Sequence, residues 1–167
     1  MWRKIKDKFD NQRGKIAVAR VMIENGLGIG AGGKIFCGPL SVGDSSVAKA
    51  SGVDRRTVRA TVDSIRNDKS LYAIFSNIEP AGAMLGKVAH HLGFGVVELE
   101  ASAATVGIVA SASGLLAKSK ISIRQIYAKD PDLFENPTLT IITARKIPGR
   151  LVEEFRNIRG VRRVLLS

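Results

Sequence analysis

Apolar residues return along the first 24 positions at alternating steps of three and four: Trp2, Ile5, Phe9, Ile16, Ala19 and Ile23, with polar Gln12 in the same stripe. That period predicts one helix over residues 2–24. Val18, Val21 and Met22 widen the stripe toward its end, so the second half is expected to face a core. The narrower first half suits either a core or a seam against a second chain. Two shorter amphipathic stretches follow. Val47, Ala48 and Ala50 make a small apolar face, then Val58, Val62 and Ile65 make another. Asp44 or Ser45 is expected to cap the first of these helices and Asp54 the second. Residues 71–76, Leu-Tyr-Ala-Ile-Phe-Ser, read as a short strand.

Pro80 and Gly82 interrupt the pattern, and residues 83–92 read as a short helix stopped by Gly93. From residue 95 the chain becomes regular. Residues 96–101 alternate as a strand, and 106–120 form a helix with Ile108, Ala112, Leu115 and Leu116 on one side. Residues 121–128 and 138–147 are two more strands around a polar turn with two prolines. Pro148 opens a helix whose apolar side is Leu151, Val152, Phe155 and Ile158, and a last strand follows Gly160. The order β-α-β-β-α-β is that of a ferredoxin-like plait. The expected class is α+β. Residues 1–80 form a helical domain, 81–94 a linker helix and 95–167 the plait.

The run Gly28-Ile-Gly30-Ala-Gly32-Gly33 sits close to a dinucleotide-binding fingerprint. That fingerprint must follow a strand and open a helix. Here it follows a predicted helix and precedes a strand-like run, Lys34 to Cys37. A phosphate loop of the Walker type fails as well, because Ile35 follows Gly33-Lys34. The stretch reads as a mobile surface connection. His90 and His91 are adjacent, so a helix would point them apart, and the single cysteine, Cys37, lies far off in sequence. Neither a metal site nor a cofactor is expected from these residues. No nucleophile–base set or carboxylate pair stands out, so no catalytic residue is assigned.

Charge sharpens the picture. The 167 residues hold 26 Lys and Arg against 15 Asp and Glu, a net +11. Residues 1–70 carry 14 of the basic and 7 of the acidic groups, so the excess is densest there. A basic part of this kind suits an anionic partner, most often nucleic acid. One cysteine rules out an internal disulfide framework, and no apolar run reaches about 18 residues, so a cytoplasmic, non-membrane protein is the expectation.

The stretch from Asp44 to Ser70 then gains meaning. Ala48, Gly52 and Val58 have the spacing of a helix-turn-helix: a small residue for close packing, a glycine for the turn and an anchor for the second helix. It resembles that family closely, with Thr57 also fitting and Thr61 standing where the family often has an aliphatic residue. The resemblance implies double-stranded DNA as partner, with a wing from residues 71–76 as a variant feature. Arg55, Arg56 and Arg59 lie off the apolar face, where they could meet guanine edges or phosphates. Ser45, Ser46 and Thr57 could hold phosphates through hydroxyl or backbone N–H groups, and Lys69 could touch the backbone at the helix end.

Residues 95–167 resemble an ACT domain, the small-molecule sensor of amino-acid metabolism, through the run from Ala104 to Ile123 with Gly107 at the strand-to-helix turn. The resemblance implies an amino acid bound at Thr105, Val106, Gly107 and Ile108, usually across a homodimer interface, with Ser122 to Arg124 supplied by the partner. Ala104 and Val106 stand where the family often has an acidic residue and a proline, and Glu100 is a substitute partner for the ligand's amino group. The whole chain resembles archaeal proteins described as predicted regulators of amino-acid metabolism. The function this implies is a dimeric, non-enzymatic transcription regulator. The alternative is a regulatory subunit that docks on a biosynthetic enzyme and senses its product.

Overall fold

The structure is a computed structural model, and it describes residues 1–102 and 104–167. The chain divides into two compact units, Met1–Gly82 and Ala83–Ser167. Both are mixed: seven α-helices and two antiparallel sheets make an α+β protein. No helix among the described residues is long and apolar enough to cross a membrane.

In the first unit the expected long helix is two helices, α1 (Trp2–Lys8) and α2 (Arg13–Glu24). The break falls at Asn11, which takes φ 59, a left-handed value that asparagine tolerates better than most residues. Asp10-Asn11 thus acts as turn chemistry inside an apolar stripe that continues across it. Trp2, Ile5 and Phe9 are buried all the same, so the first half of the stripe is core. The glycine-rich run forms no mobile connection. It builds a small antiparallel sheet: β1 (Leu27–Ile29), a one-turn 3-10 helix (Ala31–Gly33), β2 (Ile35–Cys37) and β3 (Leu40–Val42). Gly28 is required there by contact, since a Cβ would lie 2.9 Å from the carbonyl oxygen of Ile78.

Helices α3 (Asp44–Ser51), α4 (Arg55–Asn67) and α5 (Lys69–Phe75) complete the unit. The third corrects the sequence reading of residues 71–76 as a strand. Asp68 caps α5, its side chain accepting from the N–H groups of Ser70 and Leu71, and Leu71 and Phe75 bury one helical turn apart. An apolar run that short fits either period, and the cap decides it.

In the second unit residues 83–94 hold only a one-turn 3-10 helix, Ala89–Leu92, where a longer helix was expected. Then come β4 (Gly95–Ala101), α6 (Ile108–Lys118), β5 (Ile123–Ala128), β6 (Thr138–Thr143), α7 (Leu151–Arg156) and β7 (Val161–Leu166). The strands order as β5-β6-β4-β7, each antiparallel to its neighbour. Strand alternation sends Val97 and Leu99 of β4 and Leu139 and Ile141 of β6 to one face. There they join Ala112 and Leu116 of α6 and Leu151 and Phe155 of α7 in the main core. On the other face Val96 and Ile142 pack with Ala89, Leu85, Phe94 and Tyr127. The Gln125 side chain pins residues 83–94 there, donating to the Ala83 carbonyl and accepting from the Leu85 N–H, both at 2.9 Å.

Candidate nucleic-acid interface and ligand pocket

Helix α3 ends at Gly52, whose φ of +66 no side-chain-bearing residue adopts cheaply. The N–H of Val53 reaches back to the carbonyl of Ala48 at 3.1 Å and closes the turn. Two residues later α4 starts. Asp54 is its cap, accepting from the Thr57 N–H at 2.7 Å, and that hydrogen bond holds the Asp54 carboxyl below its ordinary pKa. Helix α4 buries Val58, Thr61, Val62 and Ile65 on one stripe. Thr61 satisfies itself there by donating to the Thr57 carbonyl at 2.7 Å, which is how a hydroxyl stands at a position that often carries an aliphatic side chain. The stripe fixes which side chains face water. Arg55, Arg56 and Arg59 are exposed, while Thr57 is half-buried beneath Gly14 of α2.

Arg59 differs from the other two. Its guanidinium pairs with the buried carboxylate of Asp44, and its Nη1 donates to the Gly33 carbonyl at 3.4 Å. The pair fastens the first residue of α3 to the second turn of α4. Asp44 therefore does not cap α3, whose N-cap is Gly43 in an extended conformation. Ser45 and Ser46 follow on the exposed first turn of α3 and share this end of the unit with the opening turns of α4. Lys69 does not join them. It is the first residue of α5, beyond the C-terminal end of a 13-residue helix that is about 18 Å long. The Asp44–Arg59 contact had no sequence signal, because fifteen residues and a turn separate the pair.

At that far end Lys8 of α1 bonds Asp68 at 2.5 Å. This partner, with the Leu71 N–H and Ser70 behind it, holds the Asp68 carboxyl far below its ordinary pKa. Lys15 of α2 donates to Ser64 at 2.8 Å. Much of the basic charge of α1 and α2 at this end thus serves packing of α4 and α5.

The second unit has a cavity of about 620 Å³ between the opening of α6 and the ends of β4 and β5. Thr105, Gly107 and Ile108 line it, together with Leu99, Leu139 and Lys129. Gly107, at φ +92, is the N-cap of α6, with no side chain capping the turn.

The other residues expected at a ligand site lie elsewhere within the chain. Val106 is 97% exposed on the turn. Glu100 follows the alternation of β4 to the opposite face from Leu99, where Arg163 of β7 stands across from it and donates to it at 3.3 Å. β4 and β5 run in the same direction, each antiparallel to β6. Ser122 and Arg124 therefore sit where β5 begins, at the end of the sheet opposite Thr105, about 20 Å away along a seven-residue strand. Arg124 lies over the ring of Phe94, 5.0 Å from its centroid. His90 and His91 stack at 3.7 Å between centroids. Among the described residues no group of three or more His, Cys, Asp or Glu converges on a metal position.

No protein-family model matches the chain, and no curated protein matches it. Among solved structures, it is similar to the crystal structure of PH0061, at 11% identity and a TM-score of 0.28, with 92% of this chain and 88% of that chain covered. It is also similar to the transcriptional regulatory protein PF0864 from Pyrococcus furiosus, a member of the AsnC family. That match is 10% identical with a TM-score of 0.28, over 95% of this chain and 87% of that one. Likeness at this level leaves the functional reading to the residues themselves.

Proposed function

We propose that this protein is a dimeric, non-enzymatic transcription regulator. Its N-terminal unit reads duplex DNA through α3 and α4 as a helix-turn-helix. Its C-terminal unit is a ferredoxin-like ACT-type sensor and dimerisation domain. The observation that carries the reading is the pair Arg55 and Arg56. They are exposed in the first turn of an amphipathic helix that follows a glycine turn, in the more basic part of a +11 chain. A helix entering the major groove N-terminus first presents such side chains to guanine edges and phosphates. The hydroxyls of Ser45 and Ser46 are suited to the flanking phosphates. Arg59 serves in this scheme as the fastening of the two helices, and Lys69 as a distant surface charge.

Two copies joined through their C-terminal units would set two α4 helices about one DNA turn apart. An amino acid bound where protomers meet would bring Val106 and Glu100 of one chain toward Ser122 and Arg124 of the other, which a single chain keeps apart. Its binding would shift DNA affinity only by its preference for one dimer geometry over the other.

The test is titration of duplex DNA at several salt concentrations with wild type and with Arg55→Ala/Arg56→Ala. Steeply salt-dependent binding that the double variant loses supports the reading. Binding indifferent to both arginines, or none at all, sinks it and favours docking of the basic helix on an acidic protein surface.

A further inference from the structure

The cavity beside α6 is built by one chain and is complete without a partner. Leu99 and Leu139 form its floor, Ile108 and Val109 one wall, and Pro131 and Pro137 of the β5–β6 hairpin the other. These rings and branched chains hold the shape of an apolar body. At about 620 Å³ the space falls in the range of small-molecule sites. The polar groups around it are few: hydroxyls of Ser102, Thr105 and Thr138, and the ammonium of Lys129.

Lys129 is the charged side chain among the described lining residues. Its Nζ is held 5.5 Å from the centroid of the Phe134 ring, on the hairpin that borders the cavity. The neighbouring acid, Asp130, is turned into its own loop, where its Oδ1 accepts the Asp132 N–H at 2.8 Å. Glu100 is committed to Arg163 on the opposite face of the sheet.

A ligand head group entering here meets positive charge and hydroxyls. A carboxylate gains a charge-assisted hydrogen bond. An ammonium loses water and meets a like charge. We infer that this cavity takes a monocarboxylate with a compact apolar body and no ammonium group. The inference rests on the sensing half of the proposed function and narrows its ligand. It also moves that ligand from the junction between protomers into a single chain.

Three probes share one phenyl body and differ only at the head: 3-phenylpropanoate, L-phenylalanine and 2-phenylethylamine. Each is titrated into the full chain by calorimetry and followed by thermal melting. The expected result is saturable binding of the acid, binding of the amino acid weaker by about tenfold or more, and silence from the amine. Lys129→Gln, an exposed rim change, should weaken the acid by about tenfold. Ala128→Trp should abolish binding by filling the space, and the unliganded melt reports whether that variant folds.

Binding of the amine as tight as that of the acid overturns the inference, as does acid binding unchanged in Lys129→Gln, or no acid binding. Tight binding of any of the twenty amino acids without response to the acid overturns it too, yet leaves an amino-acid sensor standing. Silence from the acid and all twenty amino acids removes sensing altogether, while DNA binding is scored separately by the duplex titration.

Discussion

Asp44 and Arg59 face each other across the α3–α4 turn, with the carboxylate buried and the guanidinium half in water. This pair separates two roles that three nearby arginines appear to share when only the sequence is read. Arg59 positions the helices, and Arg55 and Arg56 stay open to a partner. Arg59→Ala should leave the Asp44 carboxylate buried without its cation, at a cost of about 1–3 kcal/mol in urea denaturation. Adding Asp44→Asn should recover part of that loss. Arg55→Ala and Arg56→Ala should each stay within about 0.5 kcal/mol of wild type, because exposed positions free of such features usually do. Equal destabilisation by all three substitutions would sink the division of labour.

Asp68 makes a pH prediction. Its carboxyl is held down by Lys8 and by the N–H groups that start α5, so its folded pKa lies below the unfolded value of 3.8. A depressed carboxyl contributes stability that is fully present above the unfolded pKa and is lost as pH falls toward the folded one. Wild type should therefore exceed Asp68→Asn in stability at pH 7, with the gap shrinking steadily below about pH 4. Parallel denaturation series from pH 7 to pH 3 measure it. A gap that stays constant with pH means that the Lys8 contact is not formed in solution.

Gly28→Ala tests whether the glycine-rich run is built structure. The added Cβ would meet the backbone oxygen of Ile78 at 2.9 Å, and backbone cannot swing aside as a side chain does. A loss of about 1–3 kcal/mol is expected from such overpacking. Gly32→Ala makes the comparison, since nothing lies within 4 Å of a Cβ there and only its φ of +73 opposes the change. A mobile connection would absorb the Gly28 change without loss of stability.

Much of the second unit was legible because its strands alternate cleanly and Gly160 stops its last helix, so the β-α-β-β-α-β order could be read directly. Val97 and Leu99 point one way and Glu98 the other, as period two requires. The first unit was harder. The stripe from Trp2 to Ile23 runs unbroken through Asp10-Asn11, so periodicity alone hid the break between α1 and α2. The glycines between Gly26 and Gly33 were read for conformational freedom, but short strands of three residues carry too little alternation to be seen. At the candidate sites, helix faces were readable and pairings were not. Arg55 and Arg56 fell where the α4 pattern put them. The Asp44–Arg59 pair, the turning of Glu100 toward Arg163 and the distance from Ser122 to Thr105 depend on which strands and helices end up side by side.

Phe155 tests the dependence of DNA reading on the C-terminal unit. Its ring is fully buried between α7 and the sheet, among Leu116, Leu151 and Val97. Phe155→Ala should cost about 3–5 kcal/mol there, through lost burial and the cavity left behind. Each unit has its own compact set of contacts, so melting should split, with the second unit unfolding first and the helices of residues 1–82 persisting. If protomers join through the second unit, warming the variant past that first transition should also yield monomers by sedimentation. Linkage of two half-sites commonly strengthens binding by about 10²–10⁴-fold, so affinity for a two-site duplex should collapse toward that of a single site. Affinity unchanged across the first transition would mean that one N-terminal unit reads DNA alone, or that the copies join through α1 and α2.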